Sequence, residues 1–171
     1  MAGSLVLIEE TTVSSAVSSV TLGGANWDSS YDVYKVIVTN LVASASNTID
    51  IQFLVSNSAD TSSNYDYAAK NLWSGGTFPD NYATDGSDIP FGNTIGSGAN
   101  QFSNAVLYLF NFNNASEHSF ITIEETAKNA DLVGRQGGGV LTVAQATNGV
   151  LIKAGTGNID SGSFKLYGIK K

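Results

Sequence analysis

One histidine, His118, and no cysteine among 171 residues bound the chemistry open to this chain. His118 stands beside Glu117 and between Ser116 and Ser119, the residue types of a Ser-His-acid relay, whose members meet in space and not in sequence. No Gly-x-Ser-x-Gly elbow accompanies them, so an ordinary surface or edge histidine is the simpler reading. Transition-metal centres usually recruit two or three His or Cys ligands, which a single imidazole cannot supply. Disulfides and cysteine nucleophiles are excluded outright.

Carboxylates are the remaining donors. Asp80, Asp85 and Asp88 share the segment PDNYATDGSD, and flexible oxygen-rich loops suit calcium. The EF-hand pattern is not met, because its third and fifth positions counted from Asp80 are Tyr82 and Thr84. A solvated acidic loop accounts for the cluster, and no metal or cofactor is assigned. A glycosidase pair needs two acids facing each other across a cleft, which nothing in the pattern favours. Gly134–Val140 (GRQGGGV) lacks the Gly-Lys-Ser/Thr of a phosphate loop. Gly155–Asp160 (GTGNID) lacks the third glycine and following helix of a dinucleotide fingerprint. Both are expected to be hairpin turns. Asn114-Ala-Ser116 is a single sequon at chance level. Trp27, Tyr31, Tyr34, Tyr65, Tyr67 and Trp73 either line a sugar-binding face or serve as core and interface packing. No catalytic residue is assigned, and the expectation is a protein that is not an enzyme.

Charge narrows the partners. Fifteen acidic residues against eight basic ones give a net charge of −7, and Arg135 is the single arginine. Counterion-release binding of nucleic acid needs clustered Lys and Arg, so nucleic acid is not expected as a partner. An anionic membrane surface would repel such a chain. Met1–Glu10 has no basic n-region and an apolar run of four residues, unlike a signal peptide. No stretch approaches the ~18 apolar residues of a membrane span. Synthesis in a cytoplasm is the expectation.

The elements that must position these residues read as strands. Charged residues make up only 13% of the chain, while Ser, Thr, Asn and Gly number 21, 14, 16 and 18, so uncharged polar groups do the solvating. Such a composition favours short strands and turns over helices. Ser4–Glu9 and Ala16–Leu22 are weak strand candidates, and Tyr31–Asn40 is a strong one, with apolar residues at both parities. Thr48–Ser56 alternates cleanly, with Ile49, Ile51, Phe53 and Val55 on one face and Asp50 and Gln52 on the other, as in a half-buried strand. Tyr65–Trp73 alternates weakly. Ala105–Phe112 is apolar on both faces, the pattern of a central strand covered on two sides. His118–Glu125, Val140–Val143, Gly149–Lys153 and Ser163–Ile169 complete the set. Glu124–Leu132 is the best helix candidate, one or two turns at a corner.

Turn signals every ten residues or so then predict a single all-β domain over 1–171, an antiparallel two-sheet sandwich with little helix. The segment 74–104 is predicted to be a long Gly-rich loop, carrying Phe78, Tyr82, Phe91 and Phe102 among its glycines, Gly96 included. Residues 1–25 form a possible extended N-terminal contact segment.

The run Asn148–Lys153 followed by Thr156–Ile169 (TGNIDSGSFKLYGI) resembles the ending of small jelly-roll-like virion proteins of tailed bacteriophages. Tyr31–Leu41 (YDVYKVIVTNL), Ile49–Val55 and Ser63–Tyr67 (SNYDY) are similar to their earlier segments in the same order. The resemblance implies a jelly-roll-like sandwich acting as a head decoration (cement) protein, commonly a homotrimer. It would bind the major capsid protein of the assembled shell, with the virion as its location. The alternative it implies is a tail or fibre module recognising host-surface glycans. Trp73, Phe78, Tyr82, Phe91 and Phe102 are the expected interface residues.

Overall fold

A computed structural model describes residues 4–45, 47–95, 97–98 and 100–170. Residues 1–3 of the expected N-terminal segment and Gly96 of the expected loop lie outside them. Thirteen strands follow in chain order: β1 (Leu5–Val13), β2 (Ser19–Gly23), β3 (Val33–Ala43), β4 (Asn47–Val55), β5 (Ser58–Ala59), β6 (Tyr65–Trp73) and β7 (Asp80–Gly86). Then come β8 (Ile89–Ile95), β9 (Ser103–Phe110), β10 (Ser119–Lys128), β11 (Leu132–Leu141), β12 (Gly149–Ala154) and β13 (Ile159–Ile169). A three-residue 3-10 turn at Gly24–Asn26 is the one helical element among the described residues.

The chain is an all-β, antiparallel two-sheet sandwich. One sheet runs β1-β13-β3-β9-β10-β11-β6-β7, and the other runs β2-β12-β4, with β5 and β8 also pairing with β4. Four antiparallel pairings nest: β1 with β13, β2 with β12, β3 with β9 and β4 with β8. This is one long hairpin rolled up so that successive pairs fall in opposite sheets. Two insertions, β5–β7 and β10–β11, extend the larger sheet by four strands.

Period-two patterning builds the core between the sheets. Tyr34, Val36 and Val38 of β3, Leu107 and Leu109 of β9, and Phe164 and Leu166 of β13 face Leu22, Ile49, Ile51, Phe53, Val150 and Ile152 of the smaller sheet, all of them wholly buried. One end is closed by rings. Trp27 lies 3.9 Å from Tyr34 and Phe53 lies 4.7 Å from Phe112, centroid to centroid. The Asn113 side chain ties that end together, accepting from Trp27 Nε1 at 2.7 Å and donating to the Tyr34 hydroxyl at 2.8 Å.

Several expectations are corrected. Segment 74–104 is not a long loop: Asp80–Gly86 and Ile89–Ile95 are strands, and β8 packs beneath β10 and β11. Within residues 1–25, β1 and β2 are integral strands paired to β13 and β12. Glu124–Leu132 is the end of β10 and its turn into β11, where the alternation of Ile121, Ile123, Glu125 and Ala127 buries every second residue. Strand β4 is buried on both faces, because Gln52 Nε2 donates to the Ser87 carbonyl at 2.9 Å and Asp50 is covered as well.

The glycine run at 134–140 is not a turn but the middle of β11, between β10 and β6. A Cβ on Gly138 would sit 2.7 Å from the Ile121 carbonyl oxygen, and one on Gly139 would sit 2.7 Å from Ile89 Cδ1. A Cβ on Gly137 would run into the Ala68 carbonyl. Gly137 and Gly138 are there because neighbouring carbonyls come too close for any side chain, and Gly139 because the buried Ile89 side chain fills the space. Gly138→Ala is therefore expected to lower unfolding stability by about 2 kcal/mol in urea titration. An unchanged midpoint would show that the strands can part at no cost.

Candidate functional site

Two features stand out from the sandwich: a polar cluster buried on the inner side of the sheet extension, and the large uncovered face on its outer side.

On the inner side, the β10–β11 register sets Glu125 opposite Arg135, and both are buried, at 4% and 1% exposure. The Ser103 hydroxyl donates to Glu125 Oε1 at 2.8 Å. Arg135 donates through Nη2 to Asn81 Oδ1 at 3.0 Å and through Nη1 to Asn71 Oδ1 at 3.4 Å. Glu125 Oε2 and Arg135 Nε have no hydrogen-bond partner. Burial pushes the Glu125 carboxyl up to about 8, against the opposing pull of the Ser103 hydrogen bond and the Arg135 charge. Burial likewise pushes Arg135 down, although Glu125, Tyr67 and Asp50 act to raise it. Asp50 is pushed up as well, by burial first and then by Asp88, with Lys153 and Arg135 opposing. Lys153 binds Asp88 at 3.0 Å beside it. A buried arginine held mainly by two neutral amides, facing a carboxyl that favours its proton, is a strut beneath the sheet extension.

On the outer side, the registers place one residue from each of the eight strands in a single row: Leu7, Tyr167, Lys35, Tyr108, Thr122, Gly138, Ala68 and Tyr82. Beside it run Leu5 and Ile169, then Val33, Phe110, Phe120, Val140 and Asp66. Lys35 and Asp66 are the only charges in these two rows, and Lys35 Nζ lies 5.3 Å above the Tyr108 ring. Leu5, Leu7 and Phe120 are 48%, 50% and 43% exposed, and Tyr82 is 76% exposed. Where Thr122, Gly138 and Ala68 follow one another the face sinks into a groove of about 640 Å³, walled by Phe120, Val140 and Tyr82. A second groove of about 440 Å³ is lined by Ile37, Val106, Leu72 and Gly134 together with the polar Glu124 and Gln136.

The expected interface residues scatter. Tyr82 lies on the outer face, Phe78 is exposed in the turn between β6 and β7, and Phe102 is exposed just before β9. Trp73 is half-buried at the end of β6. Phe91 is wholly buried in the core, so it is withdrawn as an interface residue. Tyr34 and Tyr65 are also core, with the Tyr65 hydroxyl accepting from Phe53 N at 2.9 Å and donating to the Asp60 carbonyl at 3.0 Å, and Trp27, Tyr31 and Tyr67 pack against them. These five do not form an open sugar platform. His118 is exposed, and its ring lies 6.5 Å from that of Phe120. Asp80 pairs with Lys70 at 2.7 Å, Asp88 pairs with Lys153, and no cluster of three metal-ligating residues occurs among the described residues.

The residues missed by sequence reasoning, Glu125 and Arg135, carried a signal. Each shares the parity of buried apolar neighbours, Ile123 and Val133, where a charge must be compensated. Comparison with protein-family models, curated proteins and solved structures finds no match to this chain.

The sign of the Glu125 effect follows from linkage. The folded state holds this proton up to about pH 8, whereas the unfolded carboxyl releases it near 4.5, so the contribution is full at low pH and is lost as pH rises across that window. Relative to the parent, Glu125→Gln should gain stability between those limits, by at most about 1.4 kcal/mol per pH unit. Urea titrations of both proteins at several pH values check this; a stability difference independent of pH would contradict it.

Proposed function

We propose that this chain is a structural protein of a tailed-phage virion: a capsid decoration protein that binds the assembled head shell as a trimer and stabilises it. The nested pairing supports the fold part of the reading. Numbered along the rolled hairpin alone, its eight strands form sheets 1-8-3-6 and 2-7-4-5, the order of a jelly roll built from two Greek keys. That architecture is used by viral capsid and lectin domains.

The observation that carries the functional part is the outer face of the eight-stranded sheet. Single soluble domains rarely leave so long an apolar band open, and such bands mark docking surfaces. A protein built to be covered can also do with few charges, as this one does. The mechanism is linkage: a ligand that binds the closed shell and not its dissociated subunits shifts the balance towards the shell. The phage-like ending lies in β12 and β13, where the inward Val150, Ile152, Phe164 and Leu166 are core and carry fold.

The glycan-binding alternative has weaker support, because most of the aromatic residues offered for it are core or packed upon it. The groove beside Tyr82 and Phe120 is its best foothold, with Asp66, Thr84 and Thr122 in the lining to meet sugar hydroxyls.

The test is the location and copy number of the protein in purified virions, by quantitative mass spectrometry and immunogold labelling. Decoration predicts hundreds of copies on the head, and shells stripped of the protein should melt at lower temperature. A handful of copies at the tail would favour the fibre reading, and absence from the particle would refute both.

A further inference from the structure

The outer face of the eight-stranded sheet is uneven in a way that identifies its occupant. Its β1–β13 end carries bulky, half-exposed Leu5 and Leu7 beside Tyr167, while its β10–β7 end is hollowed at Thr122, Gly138 and Ala68 between the walls Phe120 and Tyr82. We propose that this face is a self-association surface, in which the β1–β13 end of one copy seats in the groove over β10, β11, β6 and β7 of the next. The proposal rests on the trimeric reading above and specifies which surfaces close the ring.

Three observations point to a second copy. Distance comes first: β13 and β6 stand five strand spacings apart, about 24 Å, so a chain cannot fill its own groove. Area comes next. Eight strands about 4.8 Å apart and seven residues of about 3.4 Å each give a flat face of about 900 Å². A ring divides it between two contacts, so each covers about 450 Å², below the ~800 Å² per partner of a standard interface, and the assembly is held by closing all its contacts at once. Charge completes the match: Lys35 belongs to the bulky half and Asp66 to the groove rim, so head-to-tail docking brings opposite charges together on a face otherwise free of charge in these two rows. Knob and groove are different patches of one chain, so the contact is heterologous, and the trimeric reading requires a rotation of a third of a turn per copy to close it into a ring. The sequence pattern agrees, since Val33 and Ile37 of β3 and Val106, Tyr108 and Phe110 of β9 give both strands apolar residues on the face that a single chain leaves uncovered.

The test uses sedimentation velocity on the whole chain, with circular dichroism to confirm folding. The parent protein should associate, and Leu7→Asp (knob) and Ala68→Arg (groove) should each weaken association by about thirtyfold or more. Both positions are exposed, and Tyr82→Ser repeats the groove test by a milder change if Ala68→Arg melts early. An equimolar mixture of the two variants should form one-to-one heterodimers and nothing larger, because each supplies the half that the other lacks. A parent that stays monomeric, variants that associate as the parent does, or a mixture that remains monomeric would overturn the proposal. Monomers that nonetheless coat heads would sink this inference and the trimer with it while leaving decoration standing; rings that never appear on virions would sink the decoration reading alone.

Discussion

A sheet has two faces, and an open one made of Leu, Ile, Val, Phe and Tyr loses free energy for every square ångström it leaves in water. Here the inner face of the larger sheet is covered by the smaller sheet and by β8, and buries a continuous core from Val36 to Leu166. The outer face receives no cover from its own chain, although β3 and β9 are written as strands enclosed on both sides. That mismatch between patterning and burial is the constraint from which the quaternary reading follows.

The same sheet exists at its full width only because of what lies within and beneath it. Strand β11 joins the two insertions, and its glycines admit the carbonyls of β6 and β10 at distances no side chain allows. Beneath them the strut of Arg135, Asn71 and Asn81 ties β11 to β6 and β7, while Ser103 holds Glu125 on β10. Buried polar groups of this kind give up stability, since hydrophobic substitutes of equal volume would often do better. What they contribute is register: a one-residue slip of β11 would strand the guanidinium away from its amides and flip Gly138 off the outer face. The groove and the strut are thus two sides of one strand.

Much of the architecture was legible in alternation. Thr48–Ser56, Ala105–Phe112 and His118–Glu125 show their inner residues at period two, and the absence of a long amphipathic pattern excludes layered helices. Other parts misled for physical reasons. Asp80–Gly86 is an edge strand whose outer positions include Asp80 and Thr84 and whose inner Asn81 serves Arg135, so polar residues replace the apolar marks by which strands are recognised. Glycines at 137–139 signal close backbone approach in a sheet interior, a cause that local sequence cannot separate from a turn. Residues Glu124–Lys128 have good helix formers, yet pairing with β9 and β11 overrides that preference. The Glu125–Arg135 pairing was invisible because it depends on register between strands. Phe91 looked like a loop aromatic only because its strand went unread.

Side-chain footprinting by hydroxyl radicals tests the central claim most directly, comparing the protein at low and high concentration. Cover of the outer face by a second copy predicts that Leu7, Phe120 and Tyr82 lose reactivity as concentration rises, while Leu151, half-buried on the far side of the smaller sheet, keeps its own. Equal reactivity of Tyr82 and Phe120 at both concentrations, or protection of Leu151 in their place, would contradict the account.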